Sequence, residues 1–176
     1  KGVGRPTSFR AGGWTADEGT LQAVQDAGYV VDVDAIVADR IEEWDGMMNG
    51  VFYEWLMEHW GDITITSRPY WPSLTDVSVP GTPPDAFGVL EVPANAVIID
   101  YVTGDELVEI FDANFPGREP LASPTIWHTG LHPPNFSALY MNTLDAALTQ
   151  ADLYLHSAGT GPVRYATATE MSLIDW

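Results

Sequence analysis

Cysteine is absent from this chain, and lysine occurs once, at Lys1. Without cysteine there is neither a disulfide framework nor a thiolate metal site. Bases are scarce throughout, with 7 Lys and Arg against 25 Asp and Glu and a net charge of −18. Such a surface repels phosphate backbones, which argues against a nucleic-acid partner. The acids are scattered rather than run together, so their ordinary role is solubility, including in high salt. No apolar run approaches the roughly 20 residues of a membrane-spanning helix. The chain also lacks a Gly-x-Ser-x-Gly elbow, a P-loop and a dinucleotide fingerprint. It starts at Lys1 without a signal-peptide pattern, which suggests a processed or truncated product.

What is present is enough for a core. Hydrophobic residues make up 45% of the 176 positions and charged residues 18%, which predicts one folded domain over residues 1–176. The organising stretch is Ser8-Phe9-Arg10-Ala11-Gly12-Gly13-Trp14. It reads as a strand running into a glycine turn. Thr15 and Glu18 have capping-box spacing, Leu21, Val24 and Ala27 give the next helix an apolar side, and Gly28 sits at its C-cap. The strand that follows carries Asp32 and Asp34. Two strands joined by a helix are normally parallel neighbours, so Arg10 and Asp34 are expected together at one sheet edge.

Further along, Ile41 to Gly46 reads as a helix end and Val51 to Trp60 as a second helix. Residues 67–88 read as a long Pro-rich loop, since Pro69, Pro72, Pro80, Pro83 and Pro84 oppose regular helix or central strand. Val89 to Pro93 and Ala96 to Tyr101 read as strands. Thr103 and Glu106 make a capping box for a helix with Leu107, Ile110 and Phe111 on one face. Thr125 to His128 reads as a strand, and Ser137 caps a long helix striped by Leu144, Leu148, Ala151 and Leu155 and ended by Gly159. Val163 to Ala166 reads as a last strand, and Thr167 with Glu170 as a last capping box. Strands alternating with helices predict an α/β fold with mostly parallel strands.

The sharpest chemical signal is His128-Thr129-Gly130-Leu131-His132. Two imidazoles this close can converge on one ion; they also serve as hydrogen-bonding loop histidines. Arg10 has the fork geometry that holds a carboxylate, in a site or in a structural ion pair with Asp32 or Asp34. Trp14, Tyr70, Trp71 and Trp127 are candidates for stacking on sugar rings. A core role explains aromatics at such positions equally well. Gly12 and Gly13 would let a backbone N–H near Trp14 face an oxyanion.

Phe9-Arg10-Ala11-Gly12, Ala27-Gly28-Tyr29 and the Asp32/Asp34 strand, with Leu131-His132-Pro133 and the Arg164-Tyr165-Ala166-Thr167 segment before Glu170, resemble the polysaccharide deacetylases of the NodB-homology type. The resemblance spans residues 4–34 and 124–171 and matches only that family's C-terminal portion; the acidic and His-x-x-x-His blocks that should precede Arg10 have no room here. It implies a partial or distorted (β/α) barrel completed by a missing N-terminal portion or a partner chain. The implied activity is metal-dependent removal of acetyl groups from a polysaccharide, in an extracellular or periplasmic setting. The metal, zinc by expectation, would take most of its ligands from outside this chain. By the same resemblance Arg10 orients the catalytic carboxylate, Asp34 tunes the catalytic histidine, and His132 is the general acid. Two alternatives stay open. His128 and His132 are metal ligands in a permuted chain, with Asp100 as the first acidic block. Or the chain is a non-catalytic carbohydrate-binding or assembly subunit.

Overall fold

The computed structural model describes residues 4–39, 50–132 and 137–176. The segment from Ile41 to Gly46 therefore lies outside the described residues, as do Pro133 and Pro134.

A three-stranded parallel sheet organises the fold. β1 (Ser8–Phe9) pairs with β2 (Val31–Asp32), and β2 pairs with β5 (Leu90–Glu91). The register sets Phe9 beside Asp32 and Asp32 beside Glu91. Parallel bridges at Ile36–Ala94 and Ile98–Gly130 continue the same direction. The chain is thus a mixed α/β protein with a small parallel sheet, and among the described residues no closed barrel is seen.

Helix α1 (Glu18–Asp26) connects β1 to β2. Its cap is not the Thr15/Glu18 box predicted above. Asp17 is the N-cap, and its Oδ1 accepts from the Thr20 N–H at 2.7 Å and the Thr20 hydroxyl at 2.8 Å. A carboxylate satisfies the orphan N–H groups and the helix dipole together, so it outcompetes a threonine two residues earlier. Thr15 instead donates to the Gly12 carbonyl at 2.9 Å and tightens the turn. Leu21 and Val24 are buried, and Gly28 follows the helix with φ +78°. Helix α2 (Gly50–Trp60) buries Leu56 and Trp60.

The proline-rich stretch 67–88 is not an unpaired loop. It forms an antiparallel hairpin of β3 (Pro72–Ser73) and β4 (Asp76–Pro80), and Tyr70 bridges Glu91. Pro72 faces Pro80 in this two-stranded ladder, where a missing N–H is tolerated at an edge.

Ala96 to Tyr101 is two consecutive turns rather than a strand. Val97 sits at φ +58°, a strained conformation for a β-branched residue. Helix α3 (Gly104–Asn114) opens with the Thr103/Glu106 capping box and buries Leu107, Ile110 and Phe111. It packs on α4 (Ala138–Asp152), with Gly104 so close to Ala146 that an added Cβ would lie 3.1 Å from its methyl. α4 ends before Leu155, and its buried positions are Ala147 and Ala151. Gly159, at φ +70°, ends a separate short turn at His156–Ala158. Val163 makes one bridge, to Leu155, rather than a strand. The last element is α5 (Ala168–Met171), opened by the Thr167/Glu170 capping box. The main core runs from Leu21 and Ile36 through Trp60 and Val97 to Leu107, and a smaller one gathers Val31, Val33, Leu90, Val92 and Ile126.

Candidate functional site

The parallel register delivers three segments to one end of the sheet. Arg10 and the turn Gly12–Trp14 follow β1, Asp32 and Asp34 end β2, and Glu91 ends β5. The segment 128–132 joins them through the bridge of Gly130 to Ile98. A pocket of about 270 Å³ opens there, with Arg10, Gly13, Trp14, Ile98, Leu131 and His132 on its walls.

Gly13 and Trp14 both adopt positive φ, +69° and +56°. This double left-handed turn folds the Trp14 ring inward, where it is 4% exposed. The Trp60 indole N–H donates to the Trp14 carbonyl at 2.8 Å and fixes the turn. The Arg10 guanidinium lies 5.5 Å from the Trp14 ring centroid, a cation–π arrangement. Burial lowers the Arg10 pKa, and the neighbouring Asp34, Glu91 and Asp32 oppose the shift. The residue keeps solvent-exposed surface and remains a cation.

His132 stands across the pocket, its ring 6.4 Å from that of Trp14. Its Nδ1 is 3.0 Å from Asp100 Oδ2, and its backbone N–H donates to the same oxygen at 3.2 Å. Nδ1 therefore carries the proton and Nε2 is the nitrogen able to accept one. The carboxylate partner of His132 is thus Asp100, not the Asp34 expected above. Asp34 is fully buried, and its Oδ1 accepts from the Ala11 N–H at 2.7 Å. It acts on the Arg10 turn.

Asp32, Asp34 and Glu91 form a fully buried carboxyl trio. The Ala35 N–H donates to Glu91 Oε1 at 3.0 Å, while both oxygens of Asp32 lack an N–H or hydroxyl partner. Protons resolve this. Burial, then the adjacent Glu91 charge, push Asp32 up to about 10, so it is a carboxylic acid that donates to Glu91. Burial and the charge of Asp32 raise Asp34 to about 7, and burial raises Glu91 to about 7. Arg10 and these shared protons together neutralise the trio.

His128 takes a structural place. Its Nδ1 lies 3.2 Å and 3.1 Å from the carbonyls of Val92 and Pro93, and its backbone N–H donates to Asn95 Oδ1 at 2.9 Å. Burial first, and Arg10 second, lower its pKa, so it is neutral at pH 7. The described residues contain no group of three His, Asp or Glu arranged to hold a metal ion. The set expected for the permuted chain reduces to the pair Asp100 and His132, and these residues do not by themselves fit a resident metal.

Of the four candidate stacking aromatics, Trp14 alone lines the pocket. Tyr70 is a core residue whose hydroxyl donates to the Val77 carbonyl at 2.8 Å. Trp127 spends its indole N–H on the Leu107 carbonyl and packs edge-on against Phe111. Trp71 is exposed on the hairpin and stands outside the pocket lining. Sequence reasoning passed over Glu91 and Asn95. Each had a readable signal: a single polar residue inside an apolar run, Val89-Leu90-Glu91-Val92 and Ala94-Asn95-Ala96. Asn95 ties the site together, since its Nδ2 also donates to the Ile126 carbonyl at 3.0 Å.

No helix among the described residues is long and apolar enough to cross a membrane. No family model, curated protein or solved structure matches the chain.

Proposed function

We propose that this pocket binds and hydrolyses an acetyl group carried on a carbohydrate, as in the polysaccharide deacetylases that the Arg10 and His132 segments resemble. The observation that carries the reading is the pairing of His132 with Asp100 across one pocket from Arg10 and the Gly12–Trp14 turn. An imidazole held through Nδ1 has its Nε2 available to take a proton from water and return it to a leaving amine or alcohol. The water oxygen bonds to the acetyl carbon, the carbon–nitrogen or carbon–oxygen bond to the sugar breaks, and acetate leaves. Asp100 stabilises the imidazolium that forms between these steps. Arg10 supplies fixed positive charge for the oxygen that becomes anionic. Asp34 and the buried trio hold the Arg10 turn in place. A second polypeptide portion, adding strands beside the edge strand β1, belongs to this reading.

The test is acetate release from an acetylated chito-oligosaccharide, with saccharide binding measured in parallel. His132→Ala and Arg10→Ala are each expected to lower release by about 100-fold or more, with the melting temperature near wild type in His132→Ala and lowered in Arg10→Ala, which strips the buried trio of its cation. Release unchanged in both variants would sink the assignment. The second reading is a non-catalytic glycan-binding subunit, favoured by the exposed indole of Trp71 on the hairpin. Saccharide binding that survives Arg10→Ala and His132→Ala but not Trp71→Ala would put that reading first.

A further inference from the structure

The Arg10 guanidinium lines the pocket described above. Among the described residues no oxygen accepts a hydrogen bond from its five N–H donors, and its neighbour there is the Trp14 ring. The hollow also runs against the sign of the chain. The protein carries a net charge of −18, yet the described lining includes Arg10 and His132 and no Asp or Glu. Ile98 and Leu131 add apolar surface, and Gly12 and Gly13 add no side-chain bulk. A planar fork in such a hollow matches a carboxylate, with two parallel N–H groups to two oxygens. At about 270 Å³ the space is below the roughly 300–1,000 Å³ usual for drug-sized ligands, so the ligand is small.

The same cation serves the buried trio, where its charge acts on Asp34 and Glu91. Both oxygens of Asp32, Oδ2 of Asp34 and Oε2 of Glu91 lack an N–H or hydroxyl partner, so shared protons and Arg10 are what balance them. An anion that pairs with Arg10 cancels part of this balance, and the carboxyls answer by holding more proton. We propose that the pocket binds a small carboxylate on the Arg10 fork and that binding draws a proton into the buried trio. This goes beyond the hydrolytic reading, since it needs neither a sugar nor a broken bond. Asp34 and Glu91, each raised to about 7 with burial the first cause, have room for the proton at neutral pH. Asp32, at about 10, already holds one. Of the other groups facing Arg10 and the trio, His128 is kept neutral by burial and Tyr70 keeps its phenol proton. His132, paired with Asp100 across the pocket, is the competing acceptor of a proton. Affinity is therefore fullest below about pH 7 and is lost as pH rises through and above it.

The test is titration calorimetry of the whole chain with sodium acetate at constant ionic strength. Affinities at pH 6 and pH 8 give the linkage, and repetition at pH 7 in two buffers of different ionisation enthalpy counts the protons. Wild type is expected to bind acetate about threefold more tightly at pH 6 than at pH 8, and to take up roughly 0.3–0.5 proton at pH 7. Arg10→Lys keeps a cation beside the trio but loses the fork, and should weaken acetate about tenfold with the melting temperature near wild type. The double variant Asp34→Asn/Glu91→Gln should still bind at pH 6 and lose the uptake, while His132→Gln should keep it. No acetate binding at pH 6, or equal affinity in Arg10→Lys, overturns the carboxylate site. Uptake absent from wild type, or lost in His132→Gln and kept in the double variant, overturns the role of the trio. Either failure leaves the hydrolytic reading to be judged by acetate release.

Discussion

The buried carboxyl trio makes folding stability fall as pH rises, and the size of the effect follows from the protons it holds. Unfolded, Asp32 and Asp34 have ordinary values near 3.8 and Glu91 near 4.5. Folded, Asp34 and Glu91 rise to about 7 and Asp32 to about 10. Raised carboxyl pKa values mean that the folded chain binds protons that the unfolded chain has released. Stability is therefore fullest below the unfolded values and is lost on the way up to the folded ones. Each extra proton is worth about 1.4 kcal/mol per pH unit. Three protons would give about 4 kcal/mol per unit between roughly pH 5 and 7. That would consume most of a typical total of about 5–15 kcal/mol, so the trio must titrate as one coupled unit of fewer net protons. His128 opposes it: with its pKa lowered it gains a proton on unfolding below its ordinary 6.5. The remaining groups facing the trio are Arg10, which stays charged, and Tyr70, whose raised pKa keeps it neutral. A net of one proton, about 1.4 kcal/mol per unit, is the minimum expected between pH 6.5 and 8.

Urea unfolding at pH 5, 6, 7, 8 and 9 reads this directly, with the unfolding free energy declining throughout. Above pH 7 Asp32 is the carboxyl of the three that still holds its proton, so Asp32→Asn should flatten the pH 7–9 slope by about 1.4 kcal/mol per unit. Repetition in 1 M NaCl separates the trio from surface repulsion among the 25 acids, because exposed charges are screened there and buried ones are not. Stability that is flat or rising between pH 6.5 and 8, or an Asn variant with an unchanged slope, refutes the reasoning.

Further outcomes follow from single contacts. Asp17→Ala should cost about 1 kcal/mol in urea unfolding as the α1 cap is lost, and Thr15→Ala less than half of that. Gly130→Ala would place a Cβ 3.2 Å from Ile98 Cγ2 and 3.3 Å from Arg10 Nη1. The Arg10 end can move, but the Ile98 methyl is fixed in the core, so the melting temperature should fall modestly while saccharide binding or acetate release drops about tenfold. Asp100→Asn should lower acetate release, whereas Asp34→Asn should change stability before it changes release. The described chain by itself should release acetate below about 1 s⁻¹; faster turnover would refute dependence on a second polypeptide portion.

Local signals in the sequence were legible where one interaction decided the outcome. The Thr103/Glu106 and Thr167/Glu170 boxes form because each pair needs only its own helix turn. The parallel placement of β1 and β2 follows from the strand, capped helix and Gly28 between them. Legibility failed where two local solutions competed, as at Asp17 against Thr15, or where tertiary pairing overrode composition. The five prolines of 67–88 argued for a loop, yet the hairpin edge accepts Pro72 and Pro80. Ala96 to Tyr101 has the apolar run of a strand. Its backbone turns instead, with the Ala96 and Ile99 N–H groups donating to the His128 and Gly130 carbonyls. That turn is what brings Asp100 to His132, a pair that the permuted-chain alternative alone places together.

The choice between Asp34 and Asp100 as the partner of His132 also has an energetic basis. An imidazole that is to carry charge needs a neighbour already ionised. Asp34, buried beside another acid and raised to about 7, is about half protonated at neutral pH. Bringing an imidazolium to it would require first removing that proton, and its one well-placed oxygen is already committed to the Ala11 N–H. Asp100 instead meets His132 through two N–H groups on one oxygen, 3.0 Å and 3.2 Å away. The ring of His132 is half exposed, so its other edge is open to water. Both Asp34 and Asp100 are buried, so the difference lies in their neighbours: Asp34 sits among other acids, while Asp100 meets the half-exposed His132 ring. The carboxyls under the sheet end hold Arg10 in place, and Asp100 on the turn fixes the His132 backbone and ring through one oxygen.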